Sequence, residues 1–198
     1  MAASSSSELK LSDWGYEDVI VYGPSGFAAY DLGLPLHWQM QPGGSLTLYV
    51  NYLAAFGRAA ATPAAVDRPA NNVMVASVQV KLNTQPIFQT NLDTLGAHTL
   101  EIALPDGWPT RSGERDRLEV LFHVYGPCED VQFSSLEISR DSLLRLSYTP
   151  GPLALDLAGF PAPFFQRTFL PSSAVMVLPE NPGESVTQAA LAVAAGLG

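Results

Sequence analysis

From Leu9 to Tyr148 the chain alternates apolar and polar residues with a period of two, and this alternation restricts the fold more than any other feature of the sequence. In SLTLYVNY, Leu46, Leu48, Val50 and Tyr52 fall on one face. In VASVQVKLN, Val78, Val80 and Leu82 face one way while Gln79, Lys81 and Asn83 face the other. TLEIAL repeats the pattern with Leu100, Ile102 and Leu104, and RLEVLFHVY with Leu118, Val120, Phe122 and Val124. Successive side chains of a strand point to opposite faces, so each segment buries one face and wets the other, as antiparallel sheets require. Turn residues separate the segments: GPSG at Gly23, QPGG at Gln41, LNTQP at Leu82 and LPDGWP at Leu104. About eight to ten short strands in roughly 140 residues predict an all-β fold, an antiparallel β-sandwich or jelly roll. Its core should include Leu48, Val50, Val80, Leu82, Val120 and Phe122. The longest irregular stretch, Gly57 to Asn72, reads as a loop, because Pro63 and Pro69 limit any helix there to about a turn.

The 198 residues suffice for one good-sized core and part of a second. Ten Lys and Arg against nineteen Asp and Glu give a net charge of −9, which argues against nucleic acid as a partner. A phosphate backbone needs clustered cations, and here they are few and scattered. Ordinary solubility accounts for the acidity. The single cysteine, Cys128, forms no internal disulfide and no cysteine-based zinc site. Met1 to Ser7 has neither a basic nor an apolar region and does not read as a signal peptide. No run approaches the roughly 20 apolar residues of a spanning helix.

The pattern changes at Thr149. TPGPLALDLAGFPAPFF is proline-rich and reads as a linker, and Ala174 to Leu178 is a continuous apolar run like a strand buried on both faces. ENPGESVTQAALAVAAGLG then reads as a helix capped by Asn181 or Ser185, with Val186, Ala189, Ala190 and Val193 inward. Strand, short loop and helix form the first half of a βαβ unit, which cannot stand alone. The expected organisation is therefore a disordered N-terminus over 1–8, a sandwich over 9–149, a linker over 150–173 and the truncated start of an α/β domain over 174–198. Phe164, Phe165 and Phe169 are candidate anchors if the segment folds back on the sandwich.

Catalytic constellations are not visible. There is no Gly-x-Ser-x-Gly elbow and no phosphate-cradling glycine loop ending in Lys-Ser/Thr. His37, His98 and His123 stand far apart, without a partner at metal-ligand spacing, and read as surface or sheet residues. No catalytic, metal or cofactor residue is therefore assigned. RSGER, Arg111 to Arg115, matches only the first half of a cyclic-di-GMP receptor motif and reads as a solvated hairpin tip. The aromatic residues are more suggestive, since flat rings on a sheet face suit the C–H surfaces of sugars. Tyr49 and Tyr125 fall on the outward parity of their strands, and with Trp38 and Trp108 they are the candidate carbohydrate-binding residues. Against this, Trp and Tyr at strand ends most often cap a core. A glycosidase would need a carboxylate pair from separate strands, and nothing in the sequence nominates one.

Several stretches together resemble the regulatory-subunit family of bacterial cellulose synthase. LSDWGYEDVIVYGPSGFAAYDLGLPLHWQMQPGGSLTLYVNY is similar to that family's first sandwich, VQVKLNTQPI to its strand–LNG–strand hairpin, with Asn83-Thr84 in place of Asn-Gly, GPCED to its single-cysteine loop, and ISRDSLLRLSY to its closing strand. FPAPFFQRTFLPSSAVMVLPENPGESVTQAALAVAAGLG resembles the passage from the sandwich into a flavodoxin-like domain. The resemblance runs in order along nearly the whole chain. It implies a carbohydrate-binding-like sandwich followed by a short β–α segment that begins a flavodoxin-like α/β domain. It further implies a non-catalytic subunit at the extracytoplasmic, periplasmic face of the cytoplasmic membrane. Such a subunit guides the emerging glucan polymer and supports the cellulose synthase catalytic subunit, with a C-terminal membrane anchor that this chain lacks. PENPGES falls short of the hydroxyl-rich loop that a flavin phosphate would want, so no cofactor is expected. A free-standing polysaccharide-binding module and a jelly-roll glycosidase are the alternatives.

Overall fold

The alternating segments form strands where their pattern places them. The computed structural model describes residues 4–56, 75–108, 116–125, 131–152, 168–170 and 175–197. In order the strands are β1 (Ser5–Lys10), β2 (Val19–Tyr22), β3 (Ser25–Leu32), β4 (Trp38–Phe56), β5 (Val75–Leu82), β6 (Gln85–Leu92), β7 (Gly96–Ala103), β8 (Asp116–Tyr125), β9 (Val131–Ile138) and β10 (Leu143–Pro150). A helix, α1 (Glu184–Leu197), follows. All strand pairs are antiparallel and divide between two sheets. The smaller runs β3-β8-β5-β6, and the larger is built on β4. Leu48, Val50, Val80, Leu82, Val120 and Phe122 are all buried between them. Each such side chain contributes about 1.5–3 kcal/mol by leaving water.

β4 is nineteen residues long and organises the larger sheet from both edges. Ser45 to Thr47 pair with β10, Val50 to Tyr52 pair with β9, and all of these residues also pair with β7. Since β7 takes one edge, β9 and β10 must lie end to end along the other. β2 and β1 continue this outward, β2 on β9 and β1 on β10. Between β9 and β10 the chain leaves β4 for a tight turn, closed by the Ser142 N–H donating to the Ser139 carbonyl at 3.0 Å. The Ser139 N–H still reaches the Tyr49 carbonyl at 2.9 Å, but the Tyr49 N–H has no carbonyl opposite it. The hydroxyl of fully buried Ser142 accepts that N–H at 3.1 Å. The Ser142 carbonyl accepts from Leu11 at 3.1 Å, fixing the turn between β1 and β2.

Several sequence expectations are corrected. The N-terminus is ordered from Ser5: residues 5–8 pair with β10, and Glu8 sits opposite Arg145 with a 2.5 Å ion pair. A backbone ladder needs no apolar side chains, so the polar run gave no strand signal. QPGG does not end a strand. Arg145 pairs with Ser45 and Ser147 with Gln41, so β4 carries two more residues than β10 across this stretch and bulges there. The run Val175 to Leu178, for which the sequence offers no strand neighbours within this chain, pairs with none among the described residues, and its side chains are exposed, Val175 to 91%. Helix α1 begins at Glu184, with the Gly183 carbonyl accepting from Thr187 at 3.0 Å, so Gly183 rather than Asn181 or Ser185 stands at the cap. Phe169 does reach the sandwich, edge-on to Trp14 and Trp38 at 5.4 and 5.5 Å. Phe164, Phe165, Cys128, Arg111, Arg115, the 57–72 loop and most of the 150–173 linker lie outside the described residues.

The LNTQP hairpin forms as read. Leu82 pairs with Gln85, and Asn83 and Thr84 turn the chain with φ of 50° and 71°. Both values are positive, as a two-residue primed turn demands. Asn83 tolerates this conformation and β-branched Thr84 does not, so the position that is Gly in the usual Asn-Gly pair carries strain here. Asn83 compensates by tying the tip to β8. Its side chain accepts from the Arg117 N–H at 2.8 Å and donates to the Asp116 carboxylate.

The packing around Ser142 and the buried tyrosines can be tested directly. Ser142→Ala removes the acceptor of the part-buried Tyr49 N–H and should cost about 1 kcal/mol, read as a lower urea midpoint at unchanged m-value. The tyrosines govern alkaline stability. Burial, reinforced by Tyr16 and Asp18, pushes the Tyr30 phenol up to about 12, and burial also pushes Tyr52 up. In the unfolded chain both ionise near pH 10, while the folded chain still holds their protons. Their contribution is therefore complete below about pH 10 and declines as pH rises toward 12. Tyr30→Phe should flatten the loss of stability between about pH 10 and 12, measured by denaturant titration at each pH.

Candidate functional site

The corner between β2 and β3 carries the chain from the larger sheet to the smaller. Two glycines make it possible. A Cβ on Gly23 would lie 1.9 Å from the Ser134 hydroxyl, and one on Gly26 would lie 2.7 Å from the Tyr22 carbonyl. The Gly23 N–H donates to Ser134 of β9 at 2.9 Å, and the Pro24 carbonyl accepts from Val124 of β8 at 2.8 Å. The corner is thus clamped to one strand of each sheet. It brings four exposed rings to one end of the sandwich. Tyr22 of β2 and Phe133 of β9 lie on the outer face of the larger sheet, 6.0 Å apart and edge to face. Phe27 of β3 and Tyr125 of β8 lie on the outer face of the smaller sheet, 63% and 64% exposed.

The outer face of the smaller sheet continues the site as rows across its strands. One row is Ser25, His123, Ser77 and Asn91, and the next is Phe27, Leu121, Gln79 and Gln89. The Ser25 hydroxyl lies 2.6 Å from His123 Nδ1, and the Gln79 amide donates to Gln89 at 3.4 Å. The Tyr125 ring lies 6.4 Å from the His123 ring. Charges enter only in the rows beyond, where Arg117 pairs with Glu119 at 3.0 Å and Glu119 stands opposite Lys81. Leu121 pairs with Phe27, and Tyr125 lies four residues further along β8, about 13 Å at strand spacing. Ser25 and His123 lie between the two rings, and the amides of Gln79, Gln89 and Asn91 continue the rows beyond β8. Exposed rings beside such polar rows match a ligand that alternates apolar C–H faces with hydroxyls.

The four sequence candidates do not gather into one site. Tyr125 belongs to this face. Tyr49 is exposed on the outer face of the larger sheet, on the opposite side of the sandwich. Trp38 stacks on Tyr148 at 3.7 Å and 7°, half-buried and at the far end of β4. Trp108 is a correction: it is only 5% exposed and belongs to the core, so its ring is closed to a sugar. Outward parity identifies an exposed ring but not the sheet it lies on, which is why Tyr49 and Tyr125 read alike. Phe27 and Phe133 were missed although their signal was present. Ala28, Tyr30 and Leu32 set the inward parity of β3, and Leu136 and Ile138 that of β9, leaving both phenylalanines outward. Among the described residues no His, Cys, Asp and Glu group has metal-site geometry.

No protein-family model matches the chain, and no curated protein matches its sequence. The structure is similar to the CBM36-1 domain of a multidomain xylanase from the hindgut metagenome of Trinervitermes trinervoides, at 9% identity and TM-score 0.35, over 76% of this chain and 100% of that one. It is also similar to part of dimeric latent PorU from Porphyromonas gingivalis, at 8% identity and TM-score 0.34, over 68% of this chain and 13% of that one. At these TM-scores the likenesses carry no information about function.

Proposed function

We propose that the chain is a non-catalytic polysaccharide-binding sandwich that engages a neutral glucan through the corner end and the outer face of its smaller sheet. The exposed pair Phe27 and Tyr125, beside rows that carry Ser25, His123 and the amides of Gln79, Gln89 and Asn91, carries the reading. Rings that cover no core stay exposed at a cost in solvation, and a sugar ring relieves that cost by stacking. The scarcity of cations favours a neutral polymer over a uronate or phosphorylated one.

Within that reading, the sandwich serves as an extracytoplasmic, glucan-guiding part of a cellulose or related exopolysaccharide synthase. The ordered resemblance to the cellulose synthase regulatory-subunit family along nearly the whole chain supports this finer assignment. Residues 174–198 then begin a flavodoxin-like α/β domain, in which Val175 to Leu178 acquire strand neighbours. Contact with the membrane-bound catalytic subunit is assigned to regions outside the sandwich.

Affinity electrophoresis in soluble β-glucan tests the site. The chain should be retarded, and Phe27→Ala and Tyr125→Ala should each weaken binding about fivefold, the loss of roughly 1 kcal/mol of stacking. Both side chains are exposed, so thermal midpoints should not move. Tyr49→Ala should bind normally. Retardation that depends on Tyr49 and not on Tyr125 would transfer the site to the larger sheet. Equal migration with and without every neutral polysaccharide would end the reading, and release of reducing ends would replace it with a glycosidase.

A further inference from the structure

The chain crosses between the sheets on both lateral sides of the sandwich, at the β2–β3 corner and between β6 and β7. On the second side, among the described residues, β6 is hydrogen-bonded only to β5 and β7 only to β4, so each strand turns a backbone edge outward. A groove of about 890 Å³ lies there, within the size range of ligand sites. Ile87 is the half-buried apolar residue of its lining, Ile102 and Leu104 being closed in the core beneath it; Glu101 and Asp106 provide its charge, and no Lys or Arg lines it. Arg145 lies close enough to feel Glu101, but its guanidinium is paired with Glu8 at 2.5 Å.

The two edges are not equivalent. β6 carries Pro86, which removes an N–H and blunts a sheet edge. β7, GAHTLEIA, contains no proline, so its outer edge keeps every N–H and C=O. Such an edge beside an open groove is a template for an added strand. The backbone ladder supplies affinity, and pockets for alternate side chains supply selection. β1 shows the same mode inside this fold, a short strand added on β10 by a backbone ladder with Leu9 anchored in the core.

We infer that the β6–β7 groove is a docking site for an extended peptide of a partner protein, added as an antiparallel strand on β7. The peptide lays an apolar residue over Ile87 and carries Lys or Arg where it passes Glu101 and Asp106. The charge of the lining selects this occupant. A second copy of the chain, at net charge −9, brings the wrong sign. So does the chain's own apolar run Val175 to Leu178, which is followed by Glu180 and Glu184. The site is separate from the proposed glucan face and does not depend on it.

Fluorescence anisotropy tests the docking site with a labelled ten-residue peptide of alternating Val and Thr with Lys at both ends. It should bind saturably to the whole chain and more weakly in high salt. An otherwise identical peptide, N-methylated on alternate residues, should lose saturable binding, because it cannot form the ladder. Glu101→Gln combined with Asp106→Asn should weaken binding about fivefold, and it alters exposed side chains only. A soluble β-glucan should not compete. Absence of saturable binding, equal affinity of the N-methylated peptide, indifference to the double substitution, or displacement by glucan would each overturn the proposal. None of these outcomes bears on Phe27 and Tyr125, so the two sites are judged separately.

Discussion

Everything in the larger sheet is measured from the two edges of β4. One edge is served by β7 alone and the other by β9 and β10 in succession, so the junction between them is the place where the ladder must fail. A buried N–H without an acceptor costs as much there as several favourable contacts supply. The hydroxyl of Ser142 prevents this by standing in for a carbonyl, while its backbone holds Leu11 and hence the path from β1 to β2. Three ion pairs, Lys10–Asp141, Arg140–Glu17 and Arg145–Glu8, surround the same region. They are exposed and stabilise little by comparison. One buried hydroxyl therefore secures an arrangement that those visible charges only decorate.

Most of the sandwich was legible because its segments obey a single periodicity. Leu48, Val80 and Phe122 read as inward from their neighbours alone, and they are buried. Asn83-Thr84 read as a hairpin because few residue pairs turn a chain so tightly. What escaped was information that does not reside in a local pattern. Ser5 to Glu8 became a strand because β10 offered an edge, not because the residues favour one. QPGG carries turn chemistry, yet the pairing of β10 with β4 on both sides of it converts the turn to a bulge.

The candidate site was legible by half for a related reason. Tyr125 was found by outward parity, and Phe27 could have been found in the same way. Grouping them required the pairing of β3 with β8, which no single strand announces. Trp108 was misjudged because it follows a turn, where an aromatic is exposed or caps the core depending on how the turn folds back. Its backbone N–H bonds to Pro105 at 3.3 Å, in a turn that leaves the indole in the core.

The length of β4 also sets a distance. Trp38, which with Trp14 holds Phe169, begins the strand, and Phe56 ends it beside the exposed rings of Tyr22 and Phe133. Allowing for the bulge, the two ends stand roughly 50 Å apart at strand spacing. The sandwich thus carries the cluster of Trp14, Trp38 and Phe169 at one end and the exposed rings at the other, and the bulge beside Gly43 and Gly44 sets the line between them.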